Sequence, residues 1–183
     1  MKLFLGIDAQ NVVLKKDQLS KLKVGLSNKD IEYRFEPHEQ WHINLINLGD
    51  VENSEYEDRE GYINNIVQSH PRFELKLQSI SAFPDIKEGR LLWIGVQNSR
   101  ELRSLQADLC QQISSFCNLE FKPILPIARL RNHKNLVNIL SPYKSLDFGK
   151  LSVETVVLYE MISGGAYPVF KPLKTYYLSP MAA

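Results

Sequence analysis

Leu3-Phe4-Leu5-Gly6-Ile7, at the start of the chain, has a counterpart in Leu92-Trp93-Ile94-Gly95-Val96. Both read leucine, aromatic, aliphatic, glycine, aliphatic. Five residues alone carry little weight. A repeated order of elements after each copy carries more, because it marks a chain built from two equivalent units. A helical pattern follows the first copy over about 11–26, with Leu19, Leu22 and Leu26 on one face. A clearer one follows the second over about 100–117, where Leu102, Leu105, Leu109, Ile113 and Phe116 recur at three- and four-residue steps. Each half then has a Phe-x-Pro segment, Phe35-Glu36-Pro37 and Phe121-Lys122-Pro123. A β-rich run follows each: Trp41 to Ile46, and Ile124 to Leu130. Another helix is predicted after each, over about 54–69 (with Tyr56, Ile63 and Ile66) and about 133–146. Each half closes on a strand, Phe73 to Leu77 and Val153 to Leu158. Both halves read β-α-β-α-β, a layered α/β or α+β pattern. Two such lobes facing each other enclose a cleft lined by equivalent strands. Ser163-Gly164-Gly165 reads as a loop, and a last strand is expected over 175–178.

The 183 residues are enough for one domain, or for two small lobes sharing a core. At 44% hydrophobic and 23% charged, the composition excludes disorder, fibrous repeats and a small disulfide-stapled scaffold. The first apolar run, Leu3 to Ile7, is too short for a secretion signal, and no stretch approaches a membrane span. A soluble cytoplasmic protein without a membrane partner is expected. Cys110 and Cys117 fall on the second predicted helix. A continuous helix would hold their Cα atoms roughly 10 Å apart, beyond disulfide reach. Both are therefore read as buried reduced thiols.

Within the first β-rich run, His42 and Asn44 point to one face, and Trp41, Ile43 and Leu45 to the other. The second set is the core face. A histidine and an amide side by side on an open face suit a phosphate site: the imidazole moves protons and the amide donates a hydrogen bond. An ordinary histidine on a surface strand satisfies the same pattern.

Several blocks, in order and nearly end to end, resemble the 2H phosphoesterases, specifically the bacterial RNA 2′,3′-cyclic phosphodiesterase group once called 2′-5′ RNA ligases. They are Lys2 to Asp8, Gln40 to Leu45 with Leu48-Gly49-Asp50-Val51, Ala82-Phe83-Pro84, Arg90 to Val96, Phe121 to Arg131, Val156 to Glu160, and Tyr167 to Leu173. The resemblance implies an α+β fold of two pseudo-symmetric lobes, each a mainly antiparallel sheet with helices outside, facing across a central cleft. Lobe one would span about 1–88, with exchange of C-terminal strands, and lobe two about 89–173. It also implies two His-x-Thr motifs, one per lobe. One histidine acts as general base and the other as general acid, threonines and an arginine hold the phosphate, and no metal or other cofactor takes part. The reaction would open a 2′,3′-cyclic phosphate on an RNA end.

The chain departs from that pattern. The first motif is His42-Ile43-Asn44, with asparagine in place of threonine. The second is Ile124-Leu125-Pro126, fixed by Phe121-Lys122-Pro123 before it and Ile127-Ala128-Arg129 after it. Ile124 cannot transfer a proton, and Pro126 has neither a hydroxyl nor a backbone N–H. Losing a proton-transfer partner costs about 10²–10⁴ in rate. Losing phosphate donors adds roughly another 10²–10³. His38, His70 and His133 lack the spacing to substitute and are read as surface histidines; His133, which follows the same strand, is the nearest stand-in.

Binding survives more readily than chemistry. Arg129 occupies the family's phosphate-arginine position, and Arg131 lies two residues on. Pro126 makes a bulge in that strand expected, and a bulge switches faces, so alternation alone does not place either arginine. Phe4, Trp93 and Phe170 are the candidates for stacking on a base, against the plainer reading as core aromatics. Three readings follow. The first is a degenerate member that binds an RNA end, a cyclic nucleotide or a 2′-5′-linked oligonucleotide. The second is an active phosphodiesterase using His42 with an unconventional partner. The third is a protein-interaction module with a vestigial cleft. A monomer is expected.

The net charge of +1 hides opposed patches. Residues 1–90 carry twelve basic and fifteen acidic side chains, a net of −3, and residues 91–183 ten and six, a net of +4. Six basic residues against Asp147 alone make 121–150 strongly positive, around the altered second motif. Overall charge argues against generic nucleic-acid binding; this patch is compatible with a local phosphate site.

Overall fold

The structure, a computed structural model, describes residues 1–97, 99–113, 120–165 and 167–180. Phe116, Cys117 and the side chain of Tyr56, on which expectations fell, lie outside the described residues. Among the described residues, ten strands form two antiparallel sheets. The first contains β1 (Lys2–Asp8), β4 (His42–Asp50), β9 (Thr155–Ile162) and β10 (Val169–Tyr177), in the order β10-β9-β1-β4. The second contains β2 (Val13–Leu14), β3 (Tyr33–Phe35), β5 (Phe73–Phe83), β6 (Gly89–Val96), β7 (Ile124–Lys134) and β8 (Asp147–Val153), in the order β2-β8-β5-β6-β7-β3. The helices are α1 (Lys16–Ser27), α2 (Asn53–Ser69), α3 (Arg100–Ile113) and the single turn α4 (Val137–Leu140). The fold is α+β.

The repeated pentapeptide lies on an inner strand of each sheet, β1 and β6. Its glycine serves the same purpose in both. A Cβ on Gly6 would sit 3.0 Å from the Ile43 carbonyl oxygen and 3.3 Å from the Phe4 ring. One on Gly95 would sit 2.6 Å from the Gln78 carbonyl oxygen. At Gly95 the neighbouring chain comes closer than a side chain allows, and at Gly6 it comes as close as a side chain rarely tolerates. β4 pairs with β1, and β7 with β6. β4 and β7 come into contact, and the two sheets meet there.

The helices form where apolar periodicity gives them a buried stripe. In α3, Leu102, Leu105, Leu109 and Ile113 are buried, and Ser99 caps the helix through its Oγ, which accepts from the Leu102 N–H at 3.1 Å. In α1, Leu22 and Leu26 are buried, and the helix begins at Lys16 because the preceding residues pair as β2. The expected helix over 133–146 is not formed: β7 continues to Lys134, and only α4 and a 3₁₀ turn (Ser141–Tyr143) follow. Asn135 Oδ1 accepts from the Val137 N–H and starts that turn, and Pro142 stops it from growing. The strand expected over Val153 to Leu158 is split at Glu154, with Val153 ending β8 in one sheet and Thr155 opening β9 in the other. The last strand is longer than its sequence pattern, beginning at Val169.

Cys110 is buried and disulfide-bonded, which corrects its reading as a reduced thiol. The 10 Å separation assumed one helix through both cysteines; the described helix spans Arg100–Ile113, and Cys117 lies outside the described residues. No described helix is long and apolar enough to cross a membrane.

Candidate functional site

A cavity of about 440 Å³ opens where the two sheets meet. β4 supplies His42, Asn44 and Asn47; β7 supplies Pro126 and Arg129. β1 contributes Phe4, β10 Phe170, and the segment before β4 adds Glu36 and Gln40.

Bulges decide which side chains reach it. Along β4, Asn44 pairs with Gly6 and Ile46 with Leu5, leaving Leu45 as an extra residue. Alternation is reset there, so Asn47 faces the cavity with His42 and Asn44, while Leu45 and Ile46 are both buried. Along β7, Pro126 pairs with Trp93 and Ala128 with Leu92, so Ile127 is extra. The expected bulge is present next to the proline. It returns Arg129 to the face of Ile124 and Pro126, whose partners Gly95, Trp93 and Leu91 alternate along β6. Pro126 and Arg129 line the cavity, and Ile124 is half-buried on the same face.

His42 is 8% exposed and packed among rings: Phe170 at 4.4 Å, Phe4 at 5.0 Å and Tyr159 at 5.5 Å between centroids. Its Nδ1 lies 2.7 Å from the Gln40 carbonyl oxygen. A carbonyl only accepts, so Nδ1 carries the proton and Nε2 the lone pair. Burial pulls the imidazole below its ordinary value near 6.5. The Gln40 carbonyl, Glu36 and Asp8 oppose that pull, and Arg129 adds to it. A neutral ring with Nε2 unprotonated is a proton acceptor.

Gln40 also holds the roof. Its Oε1 accepts from the Phe170 N–H at 2.7 Å, and its Nε2 donates to the Phe170 carbonyl oxygen at 3.3 Å. One residue thus sets the tautomer of His42 and fixes the strand that covers it. Asn44 donates through Nδ2 to Asn47 Oδ1 at 2.9 Å, so its amide nitrogen is directed along β4.

Arg129 donates through Nε to Glu36 Oε1 at 2.6 Å. Their side chains are 37% and 11% exposed. Glu36 is pinned by its own backbone, its N–H donating to the Ile127 carbonyl at 2.8 Å and its carbonyl accepting from Trp41 Nε1 at 3.0 Å. The bulge carbonyl therefore helps hold the carboxylate that orients Arg129. A guanidinium has five N–H donors, of which this bond uses one.

The remaining candidates divide. Arg131 does not line the cavity; it is exposed and paired with Glu32 at 2.8 Å, on a neighbouring groove. Phe4 and Phe170 line the cavity as part of the aromatic packing around His42. Trp93 is half-buried on β6 beside Pro126 and does not line it. His133 is exposed, 2.8 Å from the Glu88 carbonyl through Nδ1, and His38 is exposed against Trp41. His70 is not a surface histidine: it is buried and paired with Asp108 at 2.9 Å. Among the described residues, His42 is the one histidine lining the cavity. Glu36, Gln40 and Asn47 were not found from the sequence. The Glu-Pro turn and a bulge invisible to alternation explain why, although Glu36 lies inside the repeated Phe-x-Pro segment.

Comparison with known proteins decides the family. The model of the 2′-5′ RNA ligase superfamily matches residues 16–165. The chain belongs to that superfamily. Among curated relatives, it is 28% identical to an RNA 2′,3′-cyclic phosphodiesterase of Methanocaldococcus jannaschii, over 95% of this chain and 99% of the relative. It is 22% identical to one of Methanothermobacter thermautotrophicus, over 97% and 99%. Among solved structures, E. coli LigT in its apo form superposes with a TM-score of 0.70 at 21% identity, covering 97% of each chain. E. coli LigT complexed with 3′-AMP gives 0.66 at 19%, covering 97% and 98%. These likenesses confirm the α+β fold.

Proposed function

We propose that this 2H phosphoesterase binds a phosphorylated RNA end or nucleotide in the His42 cavity and hydrolyses it weakly or not at all. One observation carries the reading. The cavity joins one proton-accepting histidine to an arginine, and β7 lines it with Pro126, with Ile124 on the same strand face; neither protonates a leaving group nor donates a hydrogen bond. His42 Nε2 is available as a base, Asn44 and Arg129 as phosphate donors, and the general acid is missing. The relatives named RNA 2′,3′-cyclic phosphodiesterase and the nucleotide-bound LigT support the ligand class. In this reading the two halves act as one bilobal unit, as a monomer, with no call for a metal or cofactor. An RNA ligand fits a cytoplasmic protein; the disulfide at Cys110 argues the other way, since disulfides are rare there.

Titration calorimetry with 2′,3′-cyclic AMP tests the binding. The wild type should bind, and Arg129→Ala combined with Glu36→Gln should weaken binding at least about tenfold; the pairing avoids leaving Glu36 as an uncompensated carboxylate. No binding by the wild type to cyclic, 3′-phosphorylated or 2′-5′-linked ligands refutes the reading.

A further inference from the structure

Arg129 borders a second space. A groove of about 920 Å³ runs from it, lined by residues of β3, β6 and β7. Four arginines line it, Arg34, Arg90, Arg129 and Arg131, against one carboxylate, Glu32. Two large aromatics are exposed in the same groove, Phe83 at 63% and Tyr167 at 41%. Arg34 stacks over the Tyr167 ring at 4.0 Å. The Arg131–Glu32 pair is exposed on both sides, so solvent screens it and a phosphate competes with Glu32 at little cost.

From this arrangement we infer that the groove holds the nucleotides on the 5′ side of the phosphorylated end, and hence that the ligand is a single RNA strand rather than a free nucleotide. The inference rests on the reading of the cavity given above. A terminal cyclic phosphate is a 3′ end, so the strand leaves the cavity in one direction only, 5′-ward. Arg129 is the residue common to both spaces and sits where the terminal phosphate gives way to the next nucleotide. Arginines track the phosphodiesters, and exposed rings offer faces to unpaired bases. Duplex RNA keeps its bases stacked inside and gains nothing from Phe83 or Tyr167. An acidic peptide would use the arginines but not the rings.

The test compares 2′,3′-cyclic AMP with a hexaribonucleotide ending in a 2′,3′-cyclic phosphate, single-stranded or annealed to its complement. Binding is measured at 50 and 200 mM salt, for the wild type and for Arg90→Ala and Phe83→Ala. The single strand should bind at least about tenfold tighter than the mononucleotide and lose affinity more steeply with salt. Each variant should reduce single-strand affinity about five- to tenfold and leave the mononucleotide within about twofold. The duplex should bind more weakly than the single strand. If the mononucleotide binds and the hexamer binds no tighter, or the variants leave hexamer affinity unchanged, the groove is not an RNA site and the cavity reading stands. If only the hexamer binds, with loss in both variants, the groove binds RNA but the cavity reading fails, and with it the placement of the groove 5′ to the end held there. Weakening by Arg90→Ala alone, with equal displacement by polyglutamate, assigns the groove to an acidic peptide and overturns the proposal. If neither ligand binds, both readings fall.

Discussion

His42 and Gln40 are joined through the main chain, with the imidazole Nδ1 2.7 Å from the Gln40 carbonyl oxygen. This contact fixes the chemistry of the histidine before any ligand arrives. It places the proton on Nδ1, and burial among Phe4, Tyr159 and Phe170 keeps the ring neutral. Nitrogen-15 NMR of histidine-labelled protein at pH 7.5 should therefore show His42 as the Nδ1–H tautomer, with a pyridine-like Nε2. A ring protonated on Nε2 alone contradicts the assignment.

The same burial links His42 to stability. Its folded value lies below the unfolded value near 6.5, so between the two the unfolded chain binds the extra proton. His42 costs the fold nothing above pH 6.5 and destabilises it progressively as pH falls below 6.5, until the folded ring also protonates. Urea unfolding of wild type and His42→Gln at pH 7.5 and 5.5 checks the sign. The wild type should lose more stability on acidification than the variant; an equal loss shows that the folded ring is not depressed.

Gln40 bridges the floor and roof of the cavity. Truncation to alanine removes both bonds to Phe170 and leaves a part-buried N–H and C=O without that partner. The expected cost is about 1–3 kcal/mol. At roughly 2–4 °C per kcal/mol for a chain of this size, thermal unfolding should shift down by several degrees. Because β10 then loosens over His42, ligand affinity should also fall. An unchanged melting temperature and affinity means that the clip is incidental.

Glu36 sits in the cavity against Arg129 and opposes any anion that enters. Glu36→Gln removes that charge and frees the guanidinium, and phosphate or cyclic nucleotide should bind about three- to tenfold tighter. Arg129→Ala alone should instead destabilise the fold by about 1–3 kcal/mol, since Glu36 is only 11% exposed and loses its cation; the figure is reduced for the exposure of Arg129. Calorimetry on Glu36→Gln and unfolding of Arg129→Ala separate the two effects. Weaker anion binding by Glu36→Gln contradicts the competition.

Local pattern carried much of the fold. The pentapeptides at Leu3 and Leu92 do occupy inner strands of two sheets, with their glycines at equivalent close approaches. The stripe through Leu102, Leu105 and Leu109 is a buried helix face. What sequence did not reveal was pairing between distant strands. Nothing in Val153-Glu154-Thr155 marks the crossing from one sheet to the other, because both strands are apolar and β-branched on either side of it. The site divides the same way. His42 was legible from alternation and motif. Asn47 was not, because an extra residue at Leu45 shifts the face, and Gln40 was not, because its role depends on Phe170, 130 residues away. Arg129 needed the bulge at Ile127, which Pro126 signalled without fixing its outcome.

In the proposed reading the cleft is intact, and hydrolysis is weak or absent for want of side chains on one strand face. The direct test is single-turnover hydrolysis of a 2′,3′-cyclic phosphate-ended RNA by the wild type and by Ile124→His combined with Pro126→Thr. The wild type should show little or no product above the enzyme-free rate. The double variant, which adds a proton donor and a hydroxyl to the β7 face that carries Pro126 and Arg129, should gain at least about 10²-fold. Wild-type turnover as fast as that of the double variant, and lost in His42→Ala, would contradict this reading.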